Sequence, residues 1–479
     1  MNMKILYVAS EAMPFASSGG LGDVIGSLPA AVKKQLGDSA DVRVIIPMYP
    51  CVREGFGPEL FFEKEIYVPL AWRRQYCGIW SCTRDGVKFY FTDNEFYFKR
   101  SSFYGNFDDG ERFAFFGRAV VELMSAVGFY PDIMHANDWQ SALSVIYLKR
   151  KYYGIREYSN IKTLYTIHNI EYQGQYGFEN MEDLFDLYEW DRGILEYDGD
   201  INLSKGAIVL SDRISTVSEQ YAKEILTQYY SHGLSHILEA CKYKMCGIVN
   251  GIDTAYYDPS NDPSIPYHYS AENISGKAKN KEELQRICGF SVGDNVPVIA
   301  MVTRLVSHKG CDLVCRVIDE MLQSDNIRFI LLGTGDRDFE NFFRGVAARH
   351  PDKFCARIEF NKELSKLIYA GSDMFLMPSQ SEPCGLAQMI ASRYGSIPIV
   401  RETGGLYDTV RAYNKFDGSG NGFSFANYNA HEMMKIIRYA ESVYWDKDSW
   451  DILVKRAMKM DFSWQASAEK YIKLYESML

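Results

Sequence analysis

Short apolar runs alternate with amphipathic stretches along most of this 479-residue chain, and this alternation constrains the fold more than any other feature. Apolar runs of this length are typical of buried strands, and the stretches between them have the periodicity of helices. In the first half, the pattern predicts strands at 4–9, 42–47, 131–136, 161–167 and 212–217, and helices at 21–36, 111–126 and 139–151. A strand–helix–strand rhythm predicts a parallel sheet with helices on both faces.

The rhythm stops at 250–280, a segment rich in Pro, Asn, Asp and Ser, which predicts a connection between domains. It then restarts with strands at 296–303, 328–332, 356–360, 373–377 and 397–400, and helices at 309–322, 337–349, 362–370 and 385–394. We therefore predict an α/β protein with two Rossmann-like domains. Open α/β sheets bind ligands at the carboxyl ends of their strands, so we expect the site in a cleft between two facing sheets.

Two segments depart from the rhythm. Residues 59–92 contain short β-rich pieces and predict a hairpin insertion in the first domain. Residues 460–479 predict an amphipathic helix with one apolar stripe, formed by Trp464, Ala468, Tyr471, Ile472 and Tyr475.

The overall charge and the cysteines exclude several classes of protein. The net charge of −10 argues against nucleic-acid binding, and a phosphorylated ligand would need local positive potential at its site. The ten cysteines include no C-x-x-C pair, which predicts a reducing compartment and no zinc ribbon. His232 and His236 have the spacing of a metal pair but lack a carboxylate partner, so we predict no metal. We find neither a signal peptide nor an apolar span of membrane length, and we expect a cytoplasmic protein without membrane contact.

Two glycine-rich turns each follow a predicted strand and open a helix. One contains Ser17, Gly19, Gly20 and Asp23, and the other contains Thr403, Gly404 and Gly405. Backbone N–H groups at a helix N-terminus can hold an anion, and the helix dipole assists. The alternative for each turn is a plain strand-to-helix connection, which is common in this class of fold.

Two charged loops also follow strands. Arg304 and Lys309 lie where two cations can clamp a diphosphate, unless both are solvated surface groups. Glu382 is predicted near a helix start, where it can accept hydrogen bonds from sugar hydroxyls, support developing positive charge or simply cap the helix. Cys384, which follows it, is better explained by packing than by reactivity.

Polar groups end two strands of the first domain. Asp138, His168 and Asn169 can bind hydroxyl groups, and Trp139 offers an aromatic face. Each can also be structural, since a lone His is more often a satisfied hydrogen-bonding residue than a catalyst. Taken together, phosphate clamps on one side and hydroxyl ligands on the other fit a sugar nucleotide.

These motifs, in this order, resemble the bacterial glycogen synthase and plant starch synthase family. The resemblance runs from SEAMPFASSGGLGDVIGSLP through HANDW, YTIHNIEYQGQY, GIVNGIDTAYYDP and VTRLVSHKG to SEPCGL, RETGGL and the terminal FSWQASAEKYIKLY. It implies the GT-B fold, with a first domain of 1–248 joined by the returning helix 460–479, and a second domain of 249–459 that holds ADP.

The resemblance also implies roles for individual residues. Arg304 and Lys309 would bind the diphosphate of ADP-glucose, the backbone at Gly19 and Gly20 would face the phosphates, and Glu382 would lie near the transferred glucose. The remaining positions implied in substrate binding, with His168 also expected to take part in catalysis, are Ser17, Asp23, Tyr104, Asp138, His168, Asn169, Asn250, Phe360, Cys384, Gly385, Leu386, Thr403, Gly404 and Gly405.

Two positions depart from the family pattern. Ser17 stands where the family carries Lys in Lys-x-Gly-Gly-Leu, so a contact to phosphate or acceptor is weaker or is supplied elsewhere. Phe360 stands where the family usually carries a Tyr near adenine; it keeps the ring and loses the hydroxyl.

The implied reaction is retaining transfer of glucose from ADP-glucose to the non-reducing end of an α-1,4-glucan such as glycogen. No cofactor or metal is implied, because Arg304 and Lys309 supply the positive charge. Three alternatives stay open: a synthase that uses UDP-glucose, a catalytically weakened glucan-binding or regulatory homologue, and a glucan phosphorylase. Phosphorylases are much longer and need a pyridoxal lysine.

Overall fold

A computed structural model describes residues 3–293 and 295–479, and these residues divide into two units. The described residues up to Gly251 form the first unit together with Trp464–Leu479, and Ile252–Ser463 form the second. Each unit is built on a parallel sheet with helices, so the predicted fold class of two Rossmann-like α/β domains is confirmed.

The first unit contains a nine-stranded sheet with the order β12-β11-β7-β6-β1-β2-β5-β4-β3, and a small sheet with the order β8-β10-β9. The strands are β1 (Met3–Val8), β2 (Ala40–Pro47), β3 (Phe61–Leu70), β4 (Arg73–Arg84), β5 (Val87–Asp93), β6 (Ile133–Asn137), β7 (Lys162–Ile167), β8 (Gln175–Tyr176), β9 (Glu196–Tyr197), β10 (Asp200–Asn202), β11 (Arg213–Thr216) and β12 (Met245–Gly247). The pairs from β12 to β5 are parallel, and the buried side chains of β1 and β6 explain their apolar sequences.

The longest helices of this unit pack against the main sheet. They are α1 (Gly20–Leu36), α2 (Pro50–Phe56), α3 (Glu95–Phe98), α4 (Asp109–Ala126), α5 (Trp139–Lys151), α6 (Arg156–Ser159), α7 (Asn180–Asp183), α8 (Arg192–Leu195), α9 (Leu203–Leu210), α10 (Glu219–Glu224) and α11 (Ser235–Cys241). The three helices predicted in this half correspond to α1, α4 and α5.

The predicted hairpin insertion at 59–92 is larger than expected and is not separate from the main sheet. β3 and β4 pair in antiparallel fashion, β4 pairs with β5 in the same way, and β5 joins β2 in parallel. The segment therefore contributes three of the nine strands of the main sheet. Its outer face carries charged and aromatic side chains that break the apolar alternation, which is why the sequence suggested only short pieces.

The second unit contains a six-stranded sheet, parallel throughout, with the order β15-β14-β13-β16-β17-β18. Its strands are β13 (Val298–Val302), β14 (Arg328–Leu332), β15 (Phe354–Arg357), β16 (Met374–Met377), β17 (Ile397–Arg401) and β18 (Phe423–Phe425). Its helices are α12 (Ser275–Cys288), α13 (Cys311–Ser324), α14 (Arg337–Arg349), α15 (Lys362–Gly371), α16 (Ala387–Arg393), α17 (Gly404–Thr409), α18 (Ala430–Tyr444) and α19 (Lys447–Met458).

Two predictions for this unit need correction. The strand expected at 356–360 ends at Arg357, which leaves Phe360 outside it and largely exposed. The aperiodic segment 250–280 ends earlier than expected, because α12 begins at Ser275. The polar composition of α12 hid its helical period, and its buried face is built partly from lysines. The ammonium of Lys277 donates to the carbonyls of Ala370 (3.0 Å) and Ser372 (2.8 Å), which anchors α12 to the end of α15.

The last helix, α20 (Trp464–Glu476), belongs to the first unit although it is more than 200 residues away in sequence. The predicted apolar stripe is buried at all five positions. The hydroxyl of Tyr475 donates to that of Tyr7 (2.8 Å) and is hydrogen-bonded to Nδ1 of His135 (2.8 Å), and Ser467 donates to the carbonyl of Val249. These contacts tie the helix to β1, β6 and the end of the first unit's own chain segment.

We expect Tyr471→Ala to lower the free energy of unfolding of the first unit by about 3–5 kcal/mol, because it removes a fully buried ring that packs against His135 and Tyr475. Lys473→Ala in the same helix is the matched control and should change stability by less than about 0.5 kcal/mol. Urea denaturation followed by circular dichroism measures both. Equal stability of the two variants would mean that the helix does not support the first unit.

Candidate active site

In the first unit, the candidate residues follow three neighbouring parallel strands. β1 pairs with β6, and β6 pairs with β7. Glu11 follows β1, Asp138 follows β6, and His168 follows β7. Parallel strands bring their carboxyl ends to one edge of the sheet, so these polar side chains lie close together.

The glycine turn before α1 is held by Glu11, a residue that the sequence motifs did not single out. This buried carboxylate accepts hydrogen bonds from the backbone N–H of Ser18, from the Ser18 hydroxyl (2.9 Å) and from the backbone N–H of Gly19 (3.3 Å). The hydroxyl of Tyr104 also donates to it (2.5 Å). The backbone N–H groups before this helix therefore donate to a carboxylate of the protein itself. We had expected these N–H groups to face a phosphate.

Two other residues of this turn, Ser17 and Asp23, are exposed to solvent. Ser17 is exposed, and its hydroxyl donates to the carbonyl of Gly19 (3.2 Å). Asp23 lies exposed in the first turn of α1, where the helix dipole favours a carboxylate. The phosphate-binding role of Gly19 and Gly20 stays a prediction, and the Gly19 amide can take it only after leaving Glu11.

Asp138 occupies a backbone conformation that is rare for a residue with a side chain. Its φ is 56°, and it forms the N-cap of α5. Its Oδ1 accepts the backbone N–H of His168 (2.7 Å), so it joins the ends of β6 and β7. Burial raises its pKa from 3.8 to about 7, despite hydrogen bonds from the backbone of His168 and Asn169 that act in the opposite direction. A strained, partly protonated carboxyl at a strand end is typical of a functional position.

His168 is neutral at physiological pH because burial lowers its pKa to about 3. Its Nε2 lies 2.9 Å from Oδ1 of Asn137, the last residue of β6. Asn137 is the second residue that the sequence analysis missed, although it stands within the HANDW motif. An Asn beside an Asp in a strand-end motif gave no signal that it contacts a histidine 31 positions away.

In the second unit, the candidate loops follow β13, β16 and β17, which are also consecutive in the sheet. The Lys309 ammonium, from the loop after β13, donates to Glu382, from the loop after β16, at 2.7 Å. The hydroxyl of Ser379 donates to the same carboxylate oxygen (3.0 Å). Glu382 is only 7% exposed, so this ion pair is largely removed from water. Arg304 lies exposed at the start of the same loop as Lys309.

The expectation that Glu382 lies at a helix start is wrong, because α16 begins five positions later at Ala387. Helix capping therefore does not explain this carboxylate. Its partners are a lysine and a serine side chain, and Arg401 fixes the loop that carries it by donating to the carbonyls of Ser379 (2.9 Å) and Gln380 (2.6 Å).

The second glycine turn packs directly on the Glu382 loop. A Cβ at Gly404 would lie 2.0 Å from the carbonyl oxygen of Glu382, and one at Gly405 would lie 2.0 Å from that of Cys384. Gly404 also has a φ of 45°. The backbone N–H of Gly405 donates to the carbonyls of Glu382 and Pro383, both at 3.1 Å. Glycine is therefore required here for close packing of two loops, whether or not the turn also holds an anion.

The remaining predicted positions are more dispersed. Cys384 is buried, Gly385 has a φ of 70°, and Leu386 is the N-cap of α16. Asn250 is the next-to-last residue of the first unit's main segment, and its side-chain oxygen is buried without a hydrogen-bond partner among the described residues. The structure thus brings Glu11, Gly19 and Tyr104 together in the first unit. In the second unit it brings together Lys309, Glu382, Gly404 and Gly405.

Two kinds of feature are absent from the described residues. No helix within 3–293 or 295–479 has the length and apolar character needed to cross a membrane. No group of three or more His, Cys, Asp or Glu side chains in the same ranges could hold a metal ion. The predicted lack of a metal requirement stays a prediction.

The chain matches two family models, the starch synthase catalytic domain over residues 4–240 and glycosyl transferases group 1 over residues 290–451. It is 46% identical to the glycogen synthase of Clostridium novyi, with 100% of this chain and 99% of that protein covered. It is 47% identical to the glycogen synthase of Bacillus cereus strain ATCC 10987, with both chains fully covered.

Solved structures give the same picture. The catalytic domain of starch synthase IV from Arabidopsis thaliana, bound to ADP and acarbose, has a TM-score of 0.90 and 32% identity, covering 100% of this chain and 99% of that one. Sucrose-phosphate synthase from Thermosynechococcus elongatus has a TM-score of 0.62 at 14% identity, with 99% of each chain covered, and supports the fold alone.

We expect the stability of the protein to depend on pH through Asp138. Because its folded pKa of about 7 lies above its usual value of 3.8, its contribution to stability is complete below about pH 4 and is lost as the pH rises through 7. Asp138→Asn, which keeps the shape of the side chain but cannot ionise, should reduce this loss by about 1–2 kcal/mol, allowing for the partial exposure of the residue. Urea unfolding at a series of pH values tests this. Parallel pH profiles for wild type and variant would contradict it.

Proposed function

The chain belongs to the glycogen and starch synthase family, as its motifs predicted, and we propose that it lengthens an α-1,4-glucan with glucose taken from ADP-glucose. It is a glucan-elongating glycosyltransferase, and the acceptor is the non-reducing end of a chain such as glycogen. The observation that carries the site assignment is the buried Lys309–Glu382 ion pair at the carboxyl edge of the second unit's sheet. A relative of the same fold binds ADP, which supports an adenine nucleotide as the donor.

The second unit supplies the charge that the reaction needs. As the bond between the anomeric carbon and the diphosphate breaks, negative charge grows on ADP and positive charge grows on the sugar. Lys309 and Arg304 would stabilise the diphosphate, and Glu382 would hold the Lys309 ammonium in place and face the sugar's developing charge. With these cations we propose that neither a metal nor another cofactor is required.

The first unit supplies neutral and weakly acidic groups that suit sugar hydroxyls. His168 is uncharged, and Asp138 is about half protonated near pH 7. Asn169 and Tyr104 would complete the ligands of the donor glucose. Neutral hydrogen-bonding groups orient the sugar by its hydroxyls without placing a full charge beside it.

We propose that transfer retains the configuration of the donor by attack on the face from which ADP leaves. The acceptor 4-hydroxyl forms the new C–O bond while the bond to the phosphate oxygen breaks, and that oxygen takes the hydroxyl proton. Classical retention uses two carboxylates about 5 Å apart, one of them as nucleophile. Among the motifs, Glu382 has no second carboxylate that obviously acts as the nucleophile. Positioning of the substrates and stabilisation of charge would therefore provide the catalysis.

We also propose that the protein acts in the cytoplasm. All ten cysteines lie in the described residues as free thiols, which fits a reducing compartment.

Donor choice is tested by incubating the protein with glycogen and either ADP-glucose or UDP-glucose, and following release of the nucleoside diphosphate. We expect the higher kcat/KM with ADP-glucose. Equal or faster release from UDP-glucose would identify a UDP-glucose synthase. Binding of glycogen without release from either donor would identify a weakened homologue, for which Ser17 in place of Lys is the favouring observation.

We expect Lys309→Ala and Arg304→Ala each to lower kcat/KM by 10²-fold or more, on the order of 3 kcal/mol, because each removes a preorganised cation from the leaving group. Arg344→Ala removes an exposed cation paired with Glu340 on α14 and should leave kcat/KM within about twofold. A loss below about fivefold for both loop variants would mean that neither cation stabilises the leaving diphosphate.

Glu382→Gln should abolish most turnover while the protein stays folded, because the neutral amide can no longer balance Lys309 or support charge on the sugar. The matched control is Asp373→Asn, which breaks a similarly buried pair with Lys281 (2.8 Å) at the opposite end of β16. The control should lose stability and keep turnover per folded molecule. Initial rates measure the loss of turnover, and melting temperatures measure the loss of stability, for both variants. Equal losses of turnover per folded molecule in the two variants would show that Glu382 contributes only to stability.

A further inference from the structure

The side-chain amide of Asn137 has a fixed orientation. Asn137 is 1% exposed, and its Nδ2 lies 3.2 Å from the carbonyl oxygen of Val8 and 3.1 Å from that of His135. Carbonyl oxygens only accept hydrogen bonds, so the amide nitrogen must point toward them. The reversed amide would place three acceptor oxygens together in a buried place, at a high free-energy cost.

That orientation determines the protonation of the neighbouring histidine. With Nδ2 turned toward the two carbonyls, Oδ1 of Asn137 faces Nε2 of His168 at 2.9 Å. An amide oxygen cannot donate, so Nε2 must carry a hydrogen. Two backbone carbonyls thus fix an amide, and the amide fixes an imidazole tautomer.

The surroundings of His168 keep the ring neutral. Burial lowers its pKa to about 3, and the adjacent His135, on β6, is likewise held neutral by burial. The Oδ1 of Asp138 accepts the backbone N–H of His168 and does not bond the ring. A neutral imidazole has one N–H, so a hydrogen on Nε2 leaves Nδ1 as an acceptor.

We propose that Asn137 is a positioning residue that holds His168 in its Nε2–H tautomer, so that Nδ1 accepts a hydrogen bond from a hydroxyl of the donor glucose. This inference rests on the proposed function for the identity of the ligand, but the tautomer itself does not depend on it. Because Nδ1 accepts a hydrogen bond, the site binds a sugar hydroxyl that donates one. It disfavours a substituent that cannot donate a hydrogen bond, such as fluorine. Asn137 would thereby contribute to sugar specificity without touching the sugar.

The direct test is the imidazole ¹⁵N spectrum of the full-length protein labelled at histidine. The chain has eight histidines, and the His168→Gln spectrum identifies the signals of His168. We expect wild-type His168 to be in the Nε2–H tautomer and not to titrate between about pH 6 and pH 8. Saturating ADP-glucose should shift the Nδ1 signal in the direction of an accepted hydrogen bond. A hydrogen on Nδ1 in the free wild-type protein would overturn the proposal without any variant being made.

Asn137→Ala tests the consequence for activity. We expect mixed tautomers at His168 and a loss of tenfold or more in kcat/KM for ADP-glucose. The matched control is Asn202→Ala, which removes another fully buried amide of the first unit that bonds Gln173 and the backbone of Lys205. It should lower stability and leave the His168 spectrum and kcat/KM per folded molecule within about twofold.

The outcomes distinguish the inference from the proposed function. Mixed tautomers with unchanged kcat/KM in Asn137→Ala would refute the positioning role and leave the proposed function intact. A wild-type protein that shows the Nε2–H tautomer but transfers no glucose would refute the proposed function and leave the tautomer assignment standing. If Asn137→Ala does not fold, Asn137→Ser, which can still donate to one carbonyl, replaces it and should show the same tautomer mixing.

Discussion

Both units depend on one geometric constraint, which is that parallel strands end at the same edge of a sheet. In the first unit, β1, β6 and β7 are consecutive neighbours, so the loops that follow them must meet. In the second, β13, β16 and β17 are neighbours in the same way. Residues that are 73 positions apart, such as Lys309 and Glu382, therefore form a direct ion pair, and residues 31 apart, Asn137 and His168, form a direct hydrogen bond. The chemistry of the protein follows from this convergence.

The two edges have different electrostatic character. The second unit presents cations and a buried carboxylate, which suit a leaving diphosphate and a sugar with growing positive charge. The first unit presents an uncharged imidazole and a carboxyl group whose pKa burial raises to about 7, which suit hydroxyl groups. Burial produces both effects, because it strengthens an existing ion pair and disfavours an isolated charge.

The sequence predicted the strand–helix order, the apolar stripe of α20 and the loops that carry the candidate residues, because each depends on local periodicity and on residue type. It did not predict Glu11, since a carboxylate after a strand carries no mark of the amides and the Tyr104 hydroxyl that it binds. It also misplaced Glu382 relative to α16 and missed the start of α12, where polar residues conceal the helical period. The roles of Ser17, Asp23 and Phe360 remain predictions drawn from family resemblance. The sequence could not predict the contacts between distant segments, because these contacts form only when the sheet assembles.

The protein is proposed to add glucose to a glucan in α-1,4 linkage with retention of configuration. The most direct measurement of this transfer uses ADP-glucose labelled in the glucose and unlabelled glycogen, followed by digestion of the washed polymer with an exo-acting hydrolase specific for α-1,4 bonds at non-reducing ends. The predicted result is that the label enters the polymer and is then released almost completely as maltose. Label that enters the polymer but resists this digestion would contradict the claim, as would label that appears only as free glucose.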